Sequence, residues 1–292
     1  MIAAAPPPPD RNNCCAVMVT HQPPEDVSQA LASILPHFRQ CLIIDNTPGG
    51  VPWCATVPQG PISIHRSGKN HGMGWALNKG MALAMQLGFA WVMLFDQDSA
   101  LLQNPLPVFA EILADSPRAD PMGPLGCNYV QSVNGSDFLE FPRQHAGETY
   151  REVSSVITSG CLLSRQAYTA IGPFREDLFI DQIDHEYCFR ARSRGHRVLL
   201  CLTPLLRHAI GTPQARRLPW KTLRLSNHPA WRKYAFNRNL VVIARQYFRQ
   251  EPSWFLRMFL RKVPAAFVWT ILFEENKKAK QDNKKEFCKG IK

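Results

Sequence analysis

An apolar run of five residues, followed by two carboxylates one residue apart, predicts the fold class of this chain. It reads Trp91-Val92-Met93-Leu94-Phe95-Asp96-Gln97-Asp98. An uninterrupted apolar run of this length is typical of a strand that is buried on both faces, as strands of parallel sheets are. In open α/β sheets, functional groups collect at the carboxyl ends of the strands. The run therefore predicts a parallel sheet that carries Asp96 and Asp98 at its functional edge.

Other apolar runs extend this predicted sheet. Cys14–Thr20 and Cys41–Ile44 have the same buried-strand character. Residues 25–36, which lie between them, carry apolar side chains at helical spacing, and residues 70–87 form a glycine-punctuated turn that leads into a helix. A last strand is predicted at Val198–Leu202. This alternation predicts an α/β fold with a Rossmann-like, mostly parallel central sheet flanked by helices.

Length and charge narrow the classes of protein that fit. The chain has 292 residues, 45% of them hydrophobic, which suits one large α/β domain or a catalytic domain with a small appendage. Its formal net charge of +11 predicts an anionic partner, such as a nucleotide diphosphate, a phospholipid surface or a lipid-linked phosphate. The sequence has no zinc-ligand spacing and no RNA-recognition sequence, and acidic strand ends would repel a phosphate backbone. We therefore expect no nucleic-acid partner.

Composition divides the chain into four predicted segments. Residues 1–11 are a proline-rich leader that is expected to be flexible, and residues 12–215 form the catalytic domain. Residues 216–276 are basic and aromatic and predict an amphipathic helical extension. This extension either covers the sheet or contacts an anionic membrane surface. Residues 277–292 are a lysine-rich tail that is expected to be mobile.

The first residues and the cysteines predict a compartment. Residues 1–9 have no basic segment and contain four consecutive prolines, so a secretory signal is not expected. The nine cysteines include no Cys-x-x-Cys pair and are expected to be reduced thiols. Residues 254–273 come near the composition of a membrane span, but basic residues interrupt them. The predicted location is the cytoplasm, with peripheral attachment to the inner face of the cytoplasmic membrane left open.

The acidic pair at the strand end predicts a metal site. The carboxylates of Asp96 and Asp98 can turn toward one divalent cation, and oxygen ligands suit Mg²⁺ or Mn²⁺. His208, which follows the last predicted strand, is a candidate third ligand. The alternative is a turn in which Asp98 and Ser99 cap a following helix.

Three longer segments carry a family resemblance that covers roughly residues 14–250. They are Asn70-His71-Gly72-Met73-Gly74-Trp75-Ala76-Leu77-Asn78, Thr158-Ser159-Gly160-Cys161-Leu162-Leu163-Ser164-Arg165, and Phe174 followed by Asp181-Gln182-Ile183-Asp184-His185-Glu186. Together with the acidic pair, they resemble the family 2 glycosyltransferases, inverting enzymes of the GT-A fold. The resemblance implies that Asn70, Asn78 and Asp96 contact a nucleotide-sugar donor. On residue chemistry alone, Thr20 and Asp45 at two strand ends are candidates to hydrogen-bond its pyrimidine base.

The acidic turn near residue 184 predicts the proton acceptor of such a transfer. In the resembling enzymes Asp184 matches the general base, which takes the proton of the acceptor hydroxyl as the nucleotide diphosphate leaves. The Glu that commonly precedes this base is Ile183 here. Asp181 is expected to share the role or to orient the acceptor if the turn is helical. The alternative is a solvated acidic helix face, in which these residues and Glu186 pair with the arginines that follow.

A further segment narrows the resemblance. It reads Asn227-His228-Pro229-Ala230-Trp231-Arg232-Lys233-Tyr234-Ala235-Phe236-Asn237-Arg238-Asn239 and is similar to a segment of bacterial rhamnosyltransferases. This implies dTDP-L-rhamnose as the donor and a glycan or lipid-linked glycan as the acceptor, in an O-antigen or similar surface polysaccharide. A UDP-hexose donor is the first alternative. The second is a nucleotidyltransferase, whose glycine-rich basic loop is missing after the first strand.

Overall fold

The structure is a computed structural model that describes most of the chain in nine stretches. These are residues 6–23, 27–49, 60–116, 121–133, 136–142, 145–208, 214–218, 221–225 and 229–262. The predicted tail at 277–292 lies outside the described residues, as does the part of the predicted helical extension beyond Lys262.

Strands and helices alternate along the chain. The strands are β1 (Cys14–Thr20), β2 (Cys41–Asp45), β3 (Ile62–Arg66), β4 (Trp91–Asp96), β5 (Ser99–Leu101), β6 (Met122–Val133), β7 (Ser136–Leu139), β8 (Tyr150–Glu152), β9 (Cys161–Ser164), β10 (Arg197–His208), β11 (Gln214–Leu218) and β12 (Lys221–Leu225). The helices are α1 (Val27–Ile34), α2 (Met73–Gln86), α3 (Pro105–Asp115), α4 (Arg165–Ile171), α5 (Ile183–Ser193), α6 (Ala230–Tyr247) and α7 (Pro252–Arg257). A π-helical turn, Met258–Lys262, follows α7.

The central sheet has the order β3-β2-β1-β4-β9-β6-β10-β5. Strands β3, β2, β1 and β4 are parallel to one another, and β10 is parallel to β6. Strand β9 is antiparallel to both β4 and β6, so those two strands run the same way. The predicted α/β class with a mostly parallel central sheet is confirmed. The predicted strands at β1, β2, β4 and β10 and the predicted helices at α1 and α2 are all present.

Two local differences from the sequence-based expectations have a physical reason. The edge strand β3 was not predicted, because Ile62 and Ile64 alternate with polar residues and the run is too short to signal a buried strand. Within the predicted helical extension from residue 216, the described helix begins at Ala230, whereas residues 214–218 and 221–225 form the two-stranded sheet β11–β12. From Thr222 to Leu225, β12 alternates polar and apolar residues, which is the period of a strand.

Helices cover both faces of the sheet. Alternate residues of β1 point to opposite faces, so Val17 lies in one apolar cluster and Met18 in the other. Helices α1 and α3 cover the Met18 face, whereas α2, α4, α5, α6 and α7 cover the Val17 face. At Gly80 of α2, an added Cβ atom would lie 2.3 Å from Val17 Cγ1. Only glycine therefore lets α2 approach β1 this closely.

The described parts of the two ends pack on the domain. Part of the leader is attached, because the Trp91 indole N–H donates to the Pro7 carbonyl at 2.7 Å. At the other end, Leu240, Ile243 and Phe255 are buried in the cluster on the Val17 face, so α6 and α7 do cover the sheet. In the described part of the chain, no helix combines the length and apolar character that crossing a bilayer requires.

Candidate active site

Strand register gathers polar side chains at one edge of the sheet. Thr20 of β1 pairs with Asp45 of β2, and Val19 of β1 pairs with Asp96 of β4. These residues end three adjacent parallel strands, so their side chains share the carboxyl edge of the sheet. The sequence predicted this edge as the functional one.

Asp45 has one carboxylate oxygen that is satisfied and one that is not. Its side chain is buried, and Oδ1 accepts hydrogen bonds from the Thr20 hydroxyl at 3.3 Å and from the Thr47 backbone N–H at 3.0 Å. Oδ2 is also buried, and it has no partner among the described residues. A buried acceptor without a donor is unfavourable, so this oxygen is suited to receive an N–H group from a ligand.

Asp96, Asp98 and His208 form a cluster of ligand atoms suited to a cation. One ligand atom from each lies within 4.8 Å of the others. The chain brings His208 there through tertiary structure, because β10 pairs antiparallel with β5 and places His208 opposite Ser99. Two carboxylates and an imidazole are the donor types that Mn²⁺ accepts, so the residues fit a divalent metal.

Two serines orient this cluster. Ser99 Oγ is 2.7 Å from His208 Nδ1 and 2.6 Å from Ser159 Oγ. Ser159 in turn accepts a hydrogen bond from the Asp96 backbone N–H at 3.1 Å. The bond at Nδ1 leaves His208 Nε2 on the side of Asp96, 4.0 Å from its Oδ2 atom. Ser99 begins β5 rather than a helix, so the alternative in which Asp98 and Ser99 cap a helix is wrong.

Charges in the cluster are coupled. Burial of its carboxyl group raises the pKa of Asp96 to about 6; the His208 charge opposes that shift, and the Asp98 and Asp184 charges add to it. Burial alone would lower the pKa of His208, but its hydrogen bond to Asp98 and the two carboxylate charges outweigh burial and raise it. Both shifts favour proton binding at the cluster, and a divalent cation would compete with those protons for the same carboxylate and imidazole atoms.

A cavity of about 320 Å³ connects the cluster to the acidic turn. Its lining includes Thr20, Asp96, Asp98, Asp181, Asp184 and Arg232. Asp184 lies in the first turn of α5, and its Oδ1 atom accepts a hydrogen bond from the His185 backbone N–H at 2.8 Å. No described residue is bonded to Asp184 Oδ2, which leaves that atom for a ligand.

Asp181 differs from the expectation for this residue. The turn is not helical there, because Asp181 has a left-handed backbone with φ of 61° and precedes α5. Both of its carboxylate oxygens accept hydrogen bonds from Arg232, at 3.1 to 3.3 Å. Its charge is therefore already paired. A base role for Asp181 is not supported by these contacts, whereas Asp184 Oδ2 has no bonding partner among the described residues.

The remaining predicted residues have structural contacts. Asn70 Oδ1 accepts from the Gly72 backbone N–H, which shapes the loop before α2. The Asn78 amide bonds the backbone N–H and carbonyl of Phe174, at 2.8 and 2.9 Å. Donor contacts for Asn70 and Asn78 stay predictions. Glu186 does pair with an arginine, Arg190, as the alternative for the acidic turn proposed, but it is buried rather than solvated.

Sequence reasoning missed three residues of the site. Ser99 was considered only as a helix cap and Ser159 had no role, because no pattern shows that two serines 60 residues apart are in contact. Arg232 lies in the segment that resembles rhamnosyltransferases, and that resemblance was the available signal. Its contact with Asp181 depends on how α6 packs on the sheet, which the sequence does not encode locally.

Comparisons with known proteins identify a family and a relative of the chain. The model of the glycosyltransferase like family 2 matches residues 58–232. A dTDP-rhamnosyl transferase, RfbF from Shigella flexneri, is 26% identical over 231 residues, which is 76% of this chain and 73% of that protein.

Solved structures resemble the fold across nearly the whole chain. TarS from S. aureus matches with a TM-score of 0.60 at 11% identity, covering 96% of this chain and 49% of TarS. GalNAc-T7, crystallised with UDP, GalNAc and Mn²⁺, matches with a TM-score of 0.59 at 11% identity, covering 96% of this chain and 55% of the other. The chain thus spans about half the length of these two proteins. The likeness concerns the fold, and it confirms the predicted GT-A architecture.

Proposed function

Because this chain belongs to glycosyltransferase family 2, we propose that it is an inverting transferase that moves L-rhamnose from dTDP-L-rhamnose to a hydroxyl of a growing bacterial surface polysaccharide. One observation carries the proposal. A single cavity is lined by the Asp96–Asp98 pair and by Asp184, which come from different elements of the fold. That arrangement suits a displacement in which one group of residues stabilises the leaving diphosphate and another deprotonates the acceptor hydroxyl.

The nucleotide end of the donor fits the edge at β1 and β2. Thymine and uracil both carry an N3–H donor, and Asp45 Oδ2 is a buried acceptor that has no donor among the described residues. Thr20 keeps Asp45 oriented through its hydroxyl. This contact supports a pyrimidine nucleotide, but it does not separate thymidine from uridine. The choice of dTDP-L-rhamnose rests on the similarity to the Shigella flexneri enzyme.

The leaving-group end of the donor fits the Asp96, Asp98 and His208 cluster. These residues would hold Mg²⁺ or Mn²⁺, and the cation would neutralise charge that develops on the departing diphosphate. Ser99 and Ser159 keep the cluster in its orientation, so that it needs little rearrangement when the donor enters.

Asp184 acts on the acceptor hydroxyl. Its side chain is half-buried, faces the cavity, and has Oδ1 held by the His185 backbone N–H. Oδ2 takes the proton from the acceptor hydroxyl while that oxygen forms the bond to the anomeric carbon and the nucleotide diphosphate departs. Because the attack comes from the face opposite the leaving group, the anomeric configuration inverts.

A panel of nucleotide sugars tests this proposal. The protein is incubated with Mn²⁺ and with dTDP-L-rhamnose, UDP-glucose or UDP-N-acetylglucosamine, and release of the nucleoside diphosphate is measured. We expect release from dTDP-L-rhamnose to exceed release from both UDP donors. The Asp184→Asn variant should bind dTDP normally and lose at least about 100-fold in turnover, since one general base contributes about that factor.

Two results would contradict the proposal in different ways. Preference for a UDP-hexose would be consistent with a glycosyltransferase but would exclude rhamnose as the transferred sugar. Such a donor is the leading alternative, since GalNAc-T7 was crystallised with UDP. Release of pyrophosphate instead of a nucleoside diphosphate would indicate a nucleotidyltransferase and reject the transferase itself.

A lipid-linked acceptor would require the site to come close to a membrane, and α7 together with the π-helical turn that follows it has a surface suited to that. Leu256 and Leu260 are 47% and 71% exposed, and they lie four residues apart, on one side of the helical segment. Arg249 and Arg257 are exposed nearby. Glu251 is the single acidic residue between positions 229 and 262, and it is buried and paired with Arg192. An exposed apolar side with basic neighbours favours an anionic lipid surface.

Vesicle flotation tests this contact. The protein should float with vesicles that contain phosphatidylglycerol and not with neutral vesicles. The double variant Leu256→Ser with Leu260→Ser should reduce flotation, whereas Leu87→Ser, which removes an equally exposed leucine at the end of α2, should not. Equal flotation of both variants would reject α7 as the contact.

A further inference from the structure

Helix α6 carries two side chains that contact the same turn. Arg232 and Asn239 are seven residues apart, so they lie on one face of the helix, about two turns from each other. Both contact residues 178–182, the turn that directly precedes α5 and Asp184. We call these five residues the base turn. The proposed transfer reaction gives no role to this contact.

The base turn has an unfavourable backbone. Phe179, Asp181 and Gln182 have φ values of 61°, 61° and 65°, a region that residues with a side chain rarely adopt. Gln182 is also buried, and neither atom of its amide has a partner among the described residues. Such a conformation persists only if its surroundings hold it.

Asn239 is the main group that holds it. The side chain is fully buried, and Nδ2 donates to the carbonyls of Leu178 and Ile180, both at 2.8 Å, and of Asp181 at 3.1 Å. Arg232 adds its bonds to the Asp181 carboxylate. Three carbonyls of one short turn are thus directed at a single amide group.

The other side of the turn contacts the donor side of the cavity. The Met73 backbone N–H donates to the Phe179 carbonyl at 2.7 Å, and Met73 lines the same cavity as Asp184. An added Cβ atom at Gly72 would lie 2.7 Å from that carbonyl. The base turn is therefore held between α6 and the start of α2, and its end fixes where α5 begins.

We propose that Asn239 is a positioning residue: it holds the base turn in its left-handed backbone and thereby places Asp184 in the cavity. This inference rests on the proposed function, in which Asp184 is the base. Without Asn239 the turn relaxes toward a common backbone conformation, and the first turn of α5 moves with it. A displacement of about 1 Å at a reacting group lowers a rate about 100-fold.

Two readouts on Asn239→Ala test the proposal. We expect kcat for donor turnover to fall between about 10-fold and 100-fold. The KM for the donor and the Kd for dTDP with Mn²⁺ should stay within about twofold, because Asn239 touches neither the Asp45 edge nor the metal cluster. Amide hydrogen exchange of the peptide that spans residues 178–184 should become faster. Asn237→Ala is the matched control, since Asn237 is also buried in α6 but donates to Lys233 within the helix.

A second pair of variants keeps the test decisive if Asn239→Ala does not fold. Asn239→Ser retains one hydrogen-bond donor, so its loss of kcat should be smaller than that of Asn239→Ala. Amide hydrogen exchange of residues 178–184 should again become faster. Gln182→Gly, combined with either Asn239 variant, should restore part of kcat, because glycine adopts a left-handed backbone without strain. A general loss of stability would not be repaired by a glycine in this turn.

The outcomes separate this inference from the proposed function. Unchanged kcat in Asn239→Ala, or unchanged exchange of residues 178–184, would overturn the positioning role. If the wild-type protein turns over no nucleotide sugar, the proposed function fails, while hydrogen exchange still tests whether Asn239 holds the base turn. Loss of kcat in Asn237→Ala equal to that in Asn239→Ala would also overturn the inference.

Discussion

Replacing Glu186 by Gln is expected to destabilise the fold by about 3 kcal/mol. Glu186 is buried, with 1% of its side chain exposed, and its carboxylate accepts hydrogen bonds from Arg190 Nε, Arg190 Nη2 and the Tyr247 hydroxyl, each at 3.0 Å. Glutamine keeps the volume and removes the charge. The Arg190 guanidinium, only 14% exposed, then has no compensating charge in this ion pair.

The magnitude follows from the contacts that remain. Removal of one partner from a buried ion pair costs about 3 to 5 kcal/mol. Arg190 keeps its hydrogen bonds to the carbonyls of Ile171 and Pro173, both at 2.8 Å, which favours the lower end of that range. For a chain of this length, 1 kcal/mol corresponds to about 2 °C in Tm, so Glu186→Gln should lower Tm by about 6 °C.

Calorimetry and urea unfolding measure this effect. Tyr247→Phe is the matched control, because it removes one hydrogen bond from the same carboxylate and should cost only about 1 kcal/mol. The double variant Glu186→Gln with Arg190→Met should recover part of the loss, since no buried charge remains. A Tm for Glu186→Gln within about 2 °C of the wild type would show that the charges of this buried pair do not depend on each other.

Three further predictions concern the metal cluster, helix packing and the buried thiols. His208→Ala should weaken Mn²⁺ binding at least about tenfold, measured by titration calorimetry. His185→Ala, which removes a histidine outside the cluster, should leave Mn²⁺ affinity unchanged. Equal Mn²⁺ affinities of the His208→Ala variant and the wild type would exclude His208 as a metal ligand. Gly74→Ala should destabilise the fold by about 1 to 3 kcal/mol in urea unfolding, because the new Cβ would lie 2.4 Å from the Arg175 carbonyl oxygen. Gly60→Ala should have almost no effect, because its Cβ would contact only the flexible end of Leu35, at 3.3 Å. Similar losses of stability in both variants would contradict this packing. Burial raises the pKa of Cys41 from 9.0 to about 12, so between these pH values the unfolded chain loses a proton that the folded chain keeps. The free energy of unfolding therefore falls as pH rises, by up to about 1.4 kcal/mol per pH unit for this thiol. Cys41→Val should therefore show a shallower loss of Tm above about pH 9, and an unchanged slope would reject the assignment.

Three central strands and the acidic strand end could be predicted from the amino-acid sequence. β1, β2 and β4 are uninterrupted apolar runs, and such a run has few alternatives to a strand buried on both faces. Asp45 and Asp96 follow from the same runs, because each carboxylate sits where its strand ends. Local sequence suffices for these features, since the period of side-chain burial and the position of a polar residue are both local properties.

Tertiary structure alone decided which side chains meet. His208 reaches the acidic pair because β10 pairs with β5, and Asp181 is paired with Arg232 because α6 packs on the same face as α5. The left-handed backbone of the base turn is likewise invisible in a sequence without glycine there, since Asn239, more than fifty residues away, holds it. Contacts between distant segments depend on strand order and helix packing, and no local period encodes either of them.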